Sequence, residues 1–375
     1  MTTSHDIGLY IHIPFCRQRC HFCSFYLEIA RTTRMDSFRS ALRREITLYH
    51  REHEIRNRRL QSIYFGGGTP TALPVGHLIA ILDFVRATWP VSSTAEVTVE
   101  SHPSTVTAED LRQLVDAGFT RISFGAESMS DKDLASIGRP GNVQDTNIAV
   151  TAARAGGFAN INLDLMYGLP GQTLDGWEHT LRSLLSLGPA HVSCYALTIE
   201  PGTGLAQDVA QGTVSRPDDG LQMEMEAAAE ALLAEAGFTR YEISNYARPG
   251  AACRHNLLYW TGQDYLGLGP SAQSYVNGVR FGNLANLTAY VSLLEQSRLP
   301  VAERTKLSVS EQQRDALVFG LRLTDGVPWN VVQDQAQRQS VQDLIAQGFL
   351  AIGADRVRLT ALGLRYVDTV AGRLF

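Results

Sequence analysis

The stretch at residues 8–25 reads GLYIHIPFCRQRCHFCSF. Within it, segment 9–13 alternates apolar residues with Tyr10 and His12, which is the period of two expected of a β-strand. Pro14 ends the strand because proline has no N–H to donate to a neighbouring strand. The sequence therefore predicts a strand that leads directly into a loop carrying three cysteines.

The three cysteines, Cys16, Cys20 and Cys23, form a C-x3-C-x2-C triplet. Three thiols so close together cannot all pair as disulfides, and closely spaced sulfur ligands favour a metal ion or an iron–sulfur cluster. A four-iron cluster held by three cysteines leaves one iron open to a further ligand. From the residues alone, two alternatives stay open: a zinc site completed by His12 or His21, or three unrelated buried cysteines.

The composition is that of an ordinary globular protein, with 375 residues, 44% hydrophobic and 19% charged. The formal net charge of −5 gives no support to a nucleic-acid surface, so no nucleic-acid partner is expected. No apolar run approaches the roughly 20 residues of a membrane span, and the first residues lack the basic and apolar regions of a secretion signal. Five cysteines, three of them clustered, fit a reducing compartment, and we expect a cytoplasmic protein.

Strands and helices alternate six times between residue 7 and about residue 237. After the first strand, the predicted strands are 62–65, 96–99, 121–124, 159–165 and 191–199. Helical segments separate them, beginning with 34–57, which is apolar on one face and heavily charged on the other. Such alternation predicts an α/β fold with a parallel sheet and right-handed crossovers. Six units are too few for a closed eight-stranded barrel.

Polar residues stand at the carboxyl ends of these strands. GGGTP at 66–70, Glu100 and Glu127 each follow a strand, and Asp164 lies near the end of another. This edge is where α/β folds bind ligands. Each residue also has a structural interpretation: GGGTP as a tight turn, Glu100 as a surface carboxylate, and Asp164 as a buried carboxylate that needs hydrogen bonds.

The triplet with its flanks, and the lead-in YIHIPFC, resemble the radical S-adenosylmethionine (SAM) superfamily. Within it they resemble the branch of oxygen-independent coproporphyrinogen III dehydrogenases and HemW heme chaperones. The resemblance implies a [4Fe–4S] cluster on Cys16, Cys20 and Cys23, with SAM chelated by the open iron. It also implies an incomplete six-stranded (β/α)6 radical-SAM barrel followed by a smaller C-terminal α+β winged-helix-like region. The residues that it assigns to SAM are Tyr10, Phe22, Gly67, Gly68, Thr69, Glu100, Glu127, Arg139, Asp164 and Ala196.

A second motif, HNLLYW at 255–260, precedes the glycine-rich stretch DYLGLGPSAQSY. From the residues alone, His255 could ligate iron beside aromatic rings, but a satisfied buried histidine among core aromatics is the stronger interpretation. The resemblance reverses this order, because HNxxYW followed by such a stretch is typical of HemW chaperones. It assigns His255, Asn256, Tyr259 and Trp260 to heme, with Asn256 expected to fix the tautomer of the imidazole.

Two residues depart from the family's pattern. Relatives usually carry Gln at position 127, which can donate and accept, whereas an ionised Glu127 only accepts. Gln273 stands where relatives commonly have His, and Cys253 is an additional candidate thiolate ligand. We therefore expect the SAM site to be present with an altered local geometry.

From about residue 305 the pattern changes to helices followed by short strands, which resembles the winged-helix module of the family. This module lacks a basic stripe, and we expect a lid or docking role for it. The expected domains are 1–237 for the barrel, 238–304 for a connecting region with the HNxxYW motif, and 305–375 for the C-terminal domain.

Two features favour the chaperone over the dehydrogenase. Phe25 stands where the dehydrogenase usually carries a further cysteine, and about six residues precede the first strand where the dehydrogenase has a long extension. We expect a heme chaperone that passes heme to a hemoprotein acceptor, such as a membrane respiratory enzyme, with coproporphyrinogen III dehydrogenase activity disfavoured. A zinc-stabilised binding module is the third class. The oligomeric state stays open between a monomer and a homodimer.

Overall fold

The structure is a computed structural model that describes residues 6–374, and its first part alternates strands with helices. The strands are β1 (Asp6–Ile13), β2 (Phe15–Cys16), β3 (Glu28–Ile29), β4 (Arg59–Gly67), β5 (Val91–Ser101), β6 (Arg121–Glu127), β7 (Asn160–Tyr167) and β8 (His191–Ala196). The helices are α1 (Thr32–Arg51), α2 (His53–Arg56), α3 (Val75–Thr88), α4 (Ala108–Asp116), α5 (Asp131–Ser136), α6 (Val143–Gly156), α7 (Leu174–Ser186), α8 (Gly204–Ala210) and α9 (Asp219–Glu235). The expectation that the first residues hold no secretion signal falls partly on residues 1–5, which lie outside the described residues.

Six of these strands form the barrel, in the order β1-β4-β5-β6-β7-β8, and all their pairings are parallel. The outer edge of β1 pairs with a later strand, and the outer edge of β8 pairs with another. Within the described residues β1 and β8 therefore do not pair with each other, and the barrel stays open. This confirms the predicted α/β fold with an incomplete six-stranded barrel.

The alternation in the first strand separates the two faces of the barrel wall. Leu9, Ile11 and Ile13 are buried in the main hydrophobic core, which also contains Phe38 and Leu42 of α1. Tyr10 and its neighbours at alternate positions face the other way, and the register pairs Tyr10 with Tyr64 and Tyr64 with Thr98. The barrel interior is accordingly lined by polar and aromatic side chains.

The region after residue 238 extends the same sheet. Its elements are β9 (Thr239–Arg240), β10 (Asn245–Ala247), α10 (Arg254–Trp260), β11 (Tyr265–Leu268), β12 (Gln273–Val276), β13 (Val279–Asn283), α11 (Leu287–Glu295) and β14 (Val301–Lys306). β11 lies parallel to β1, and β12 to β14 continue antiparallel from it, so that the sheet has twelve strands. The sequence did not predict these strands, because they are short and interrupted by glycines.

The C-terminal part has a hydrophobic core of its own. Its elements are α12 (Val309–Gly320), β15 (Val327–Pro328), α13 (Gln335–Ala346), β16 (Leu350–Gly353), β17 (Arg356–Leu359), α14 (Ala361–Arg365) and α15 (Val367–Leu374). Two helices followed by the hairpin β16–β17 match the predicted winged-helix-like pattern. The two domain boundaries stay predictions, and strand pairing runs across the first of them. No helix within residues 6–374 has the length and apolar character to cross a membrane.

Candidate functional site

A cavity of about 450 Å³ opens where the parallel strands of the barrel end. Its walls include most of the residues predicted for the cluster and for SAM: Tyr10, Cys16, Cys20, Phe22, Cys23, Gly67, Gly68, Thr69, Glu100, Glu127, Arg139 and Asp164. Ala196, the last residue of β8, is half-buried and is not among the lining residues. Side chains from the strands β1, β2, β5, β6 and β7 and from three loops thus meet in one space of the size of a small-molecule site.

The loop with the cysteines is held on several sides. β2 pairs with β3, and the N–H of Leu205 donates to the carbonyl of His21 at 2.9 Å. Cys16 Sγ lies 3.4 Å from Thr69 Oγ1, and Cys20 Sγ accepts from Arg139 at 3.5 Å. These contacts bring all three cysteines to the cavity.

The donor set fits an iron–sulfur cluster. All five cysteines of the chain are free thiols, and three of them line this one cavity. Burial raises the pKa of Cys16 and Cys20, while the charge of Arg139 lowers both. Within residues 6–374, no three side chains of His, Cys, Asp or Glu are grouped as one shared metal ion requires. Three thiols around an open space suit a multi-iron cluster better than a single zinc ion.

Glu100 is a half-buried carboxylate with fixed oxygens. Tyr64 donates its hydroxyl to Oε1 at 2.8 Å, and the N–H of Gly67 donates to Oε2 at 3.1 Å. Gly67 has a φ of 112°, a left-handed conformation that glycine adopts readily. Burial raises the pKa of Glu100 to about 7, and the charge of Asp164 adds to the effect. Glu100 can thus form an ion pair with a cationic group of a ligand or accept a hydrogen bond from a donor group.

Glu127 sits in a strained backbone position at the end of β6. Its φ is 64°, and the register of β6 against β7 shifts between Gly125 and Glu127. Tyr195 donates to its Oε2 at 2.8 Å, and the guanidinium of Arg139 lies 3.5 Å from its Oε1. Burial raises the pKa of Glu127, while Arg139 opposes the shift. Outlier backbone conformations of this kind concentrate at functional sites.

Asp164 is the third carboxylate of the cavity and is half-buried. It accepts from Asn162 Nδ2 at 2.6 Å and from Ser123 Oγ at 3.5 Å. Burial raises its pKa, and hydrogen bonds from Ser193 and Asn162 oppose the rise. With Glu100 and Glu127, it gives the cavity an acidic lining that can accept hydrogen bonds from amino and hydroxyl groups.

Several buried polar atoms in the cavity wall make no hydrogen bond of normal geometry to the described residues: Nε2 of His12, Nε2 of His102 and Nε of Arg139. The backbone carbonyls of Tyr26 and Pro140 act on the rings of His12 and His102, where they oppose the lowering of the pKa by burial. An acceptor atom of a ligand would satisfy Arg139 Nε. Sequence reasoning missed His102, Tyr64 and Tyr195, and considered His12 as a zinc ligand alone. The alternation of β4 was the available signal, since Tyr64 lies two residues before Gly66 on the same strand.

The HNLLYW motif lies elsewhere, on α10. His255 packs against Gly8 and Ser62 near the starts of β1 and β4, away from the carboxyl ends that carry the cavity. His255 is 1% exposed, and its two ring nitrogens bond to Ser62 Oγ and Tyr259 Oη, each at 2.8 Å. In the structure, Ser62 and Tyr259 thus bond to the ring nitrogens of His255, a role that was expected for Asn256.

Trp260 of this motif keeps a buried Nε1 without a hydrogen bond to the described residues, but its ring and the nearby Cys253 both have neighbours. The guanidinium of Arg322 lies 4.5 Å from the ring centre of Trp260. Cys253 is fully buried, with its thiol 3.5 Å from Glu96, and burial raises its pKa to about 12. The arrangement is what the structural interpretation of the motif expects, and the assignment of these residues to heme stays a prediction.

Comparisons with known proteins agree with the geometry. The family model of the radical SAM superfamily matches residues 10–184, and that of the HemN C-terminal domain matches residues 307–366. The heme chaperone HemW of Mycobacterium tuberculosis is 34% identical over 370 residues, which cover 98% of this chain and 94% of the relative. The chain belongs to the HemW family of radical SAM proteins.

Other HemW relatives extend the comparison. HemW of Bacillus subtilis is 36% identical over 97% of both chains, and a mitochondrial radical S-adenosyl methionine domain-containing protein 1 of Mus musculus is 32% identical over 98% of this chain and 87% of its own. The solved structure of coproporphyrinogen III oxidase (HemN) from Escherichia coli, a radical SAM enzyme, superposes with a TM-score of 0.85 at 22% identity. It covers 98% of this chain and 90% of that one. At this identity the match establishes the shared fold.

Proposed function

We propose that the protein is a cytoplasmic heme chaperone with a [4Fe–4S] cluster on Cys16, Cys20 and Cys23 and SAM in the adjoining cavity. It passes heme to a hemoprotein acceptor, with a membrane respiratory enzyme as the expected class. The observation that carries the cluster and SAM is one cavity that combines the cysteine triplet with Gly67, Gly68, Thr69 and three carboxylates. The proposal that heme is the cargo rests on the names of the HemW relatives.

The chain's own residues have distinct roles in this proposal. The three cysteines hold the cluster, which supplies one-electron chemistry to bound SAM when it is reduced. Gly67 and Thr69 line the space beside Cys16, and Glu100 and Asp164 accept hydrogen bonds from donor groups of SAM. The 69% exposed ring of Phe25 stands at the rim, where the dehydrogenase usually carries a further cysteine.

Heme, the cargo, is proposed to bind at the HNLLYW segment. Ligation by His255 requires α10 to move, because each ring nitrogen now bonds to a hydroxyl group. Such an opening suits reversible binding, which a protein that must release its cargo needs. Tyr259 and Trp260 would then offer apolar ring faces to the porphyrin.

The proposal is tested on anaerobically reconstituted protein. Iron and sulfide analysis, SAM binding by equilibrium dialysis and heme titration followed by the Soret band measure the three components. Transfer is measured by mixing the heme-loaded protein with apomyoglobin as a generic acceptor. We expect cluster, SAM and heme to bind and heme to move. Absence of heme binding by the cluster-loaded protein would reject the chaperone function.

His255→Ala tests the proposed heme ligand. It should weaken heme binding and change the Soret spectrum, while the iron and sulfide content stays that of the unchanged protein. An unchanged affinity and spectrum would remove His255 as the ligand. A variant that loses its cluster or unfolds would show that the histidine is structural.

A further inference from the structure

Three aromatic rings stack inside the barrel between α10 and the cavity. Tyr10 of β1 and Tyr64 of β4 are cross-strand neighbours with ring centres 6.1 Å apart. His255 of α10 lies against both, 5.2 Å from Tyr64 and 6.2 Å from Tyr10, with its plane within 29° of each. We call these three residues the ring stack.

On the side that faces the starts of β1 and β4, the ring stack is fixed by α10. Ser62 Oγ and Tyr259 Oη each bond to a nitrogen of His255, which prevents rotation of the imidazole. Gly8 permits the close approach of the helix, because a Cβ there would lie 2.3 Å from Leu258 Cδ1 and 3.3 Å from His255 Cε1. His255 is therefore a rigid support for the tyrosine rings above it.

On the side that faces the carboxyl ends of the strands, the ring stack reaches the cavity. Tyr64 donates its hydroxyl to Glu100 Oε1 at 2.8 Å, and Tyr10 itself lines the cavity with its hydroxyl 3.2 Å from His12 Nδ1. A displacement of the Tyr64 ring would move the hydroxyl that holds Glu100. The contacts thus form one continuous path from His255 to a carboxylate of the cavity.

We propose that His255 and Tyr64 are positioning residues for the ligand of the cavity: His255 supports the ring of Tyr64, and Tyr64 orients Glu100. The inference rests on the proposed function in that SAM is the ligand. It gives the HNLLYW motif a role at the SAM site while α10 stays in its present position, and ligation of heme by His255 would release this support. Positioning matters because a binding group must be held close to its productive geometry before the ligand arrives.

Phenylalanine at position 255 separates positioning from ligation. Its ring can stack on Tyr64, but it has no nitrogen for iron. The positioning role predicts that His255→Phe keeps the SAM affinity within about twofold, whereas His255→Ala weakens it about three- to tenfold, the usual scale for the net contribution of one hydrogen bond. A heme-ligand role predicts that both variants lose heme affinity and that neither changes SAM binding.

The experiment measures SAM binding to anaerobically reconstituted protein by equilibrium dialysis, with cluster content and thermal unfolding recorded for every variant. Tyr64→Phe keeps its ring and loses the bond to Glu100, so we expect SAM to bind about three- to tenfold more weakly. Tyr290→Phe is the matched control, because its buried hydroxyl donates to Glu45 at 2.6 Å outside the cavity lining. It should leave SAM affinity unchanged.

A double-mutant cycle adds the decisive comparison. In a Glu100→Ala background, Tyr64→Phe should cause no further loss, since Tyr64 has no carboxylate to orient. Wild-type affinity in both Tyr64→Phe and His255→Ala would overturn the inference and leave the proposed function intact. Failure of the cluster-loaded wild-type protein to bind SAM would overturn both. If His255→Ala unfolds, Tyr64→Phe and its cycle decide.

Discussion

The two regions predicted to bind ligands differ in how their polar groups are satisfied. At the cavity, His12, His102 and Arg139 each keep a buried nitrogen without a hydrogen bond of normal geometry to the described residues. On α10, both nitrogens of His255 are bonded inside the protein. Trp260 of the same motif does keep a buried Nε1 without such a bond, so the difference between the two regions lies in their histidines. The comparison is consistent with the proposed ligand binding at the cavity and with a supporting position for His255.

Loss of the cysteine triplet should have the largest effect on this comparison. We expect the reconstituted protein to hold about four irons and four sulfides per chain, and the triple Cys16, Cys20 and Cys23→Ala variant to hold none. Iron and sulfide analysis after anaerobic reconstitution measures both. The control is the double Cys194→Ala, Cys253→Ala variant, whose cysteines are buried away from the cavity. Stoichiometric zinc without iron uptake would contradict the cluster.

The second test is whether the protein converts coproporphyrinogen III, which is the activity of the alternative function. We expect no conversion to protoporphyrinogen in an anaerobic assay with reductant and SAM, because Phe25 occupies the place of the extra cysteine of the dehydrogenase. Loss of propionate carboxyl groups is followed by mass spectrometry. Turnover at the rate of a genuine dehydrogenase, run alongside as a positive control, would reverse the order of the two functions.

Replacing each of two buried histidines with alanine measures how much each region depends on its histidine for stability. His255→Ala leaves the hydroxyls of Ser62 and Tyr259 unpaired and opens a void, so we expect a loss of about 3–5 kcal/mol in the free energy of unfolding. His12→Ala removes a side chain that lines an open cavity and makes a 3.2 Å bond to Tyr10. Its cost should be smaller by about 2 kcal/mol. Urea unfolding measures both, and equal losses would break the comparison.

A buried carboxylate outside the cavity gives the smallest predicted effect. Glu45 accepts from Tyr290, Asn283 and the N–H of Gly269, and burial raises its pKa to about 7. A raised folded-state pKa contributes stability that is fully present below the unfolded pKa of about 4.5 and is lost as pH rises through 7. Between these pH values Glu45 should therefore reduce stability by at most about 3 kcal/mol.

Glu45→Gln isolates this contribution from those of Glu100 and the histidines. We expect the variant to lose less stability than the wild-type protein between pH 4.5 and pH 7, because the amide does not ionise. Urea unfolding of both proteins across that pH range measures the difference. Identical pH profiles would show that Glu45 titrates in the folded protein as it does in the unfolded chain.

The barrel was predictable from the sequence because its signals are local. The period of two in segment 9–13 and the polar residues after the strands predicted the edge of the sheet at which the cavity lies. The partners of His255 were not predictable, since Ser62 lies 193 residues away in the chain and only folding brings the two together. The strands β11 to β14 were missed for a similar reason: short strands are stabilised by their neighbours in the sheet rather than by a pattern of their own.

The position of β1 has a consequence for the order of assembly. β1 pairs with β4, which is synthesised soon after it, and with β11, whose residues Tyr265–Leu268 emerge more than 250 residues later. The strand that carries the cysteine loop thus keeps one edge unpaired during most of translation, and closing such a distant pairing is slow. We expect the loop to reach its final geometry only after β11 has docked. A cell would then load iron and sulfide into an essentially complete chain.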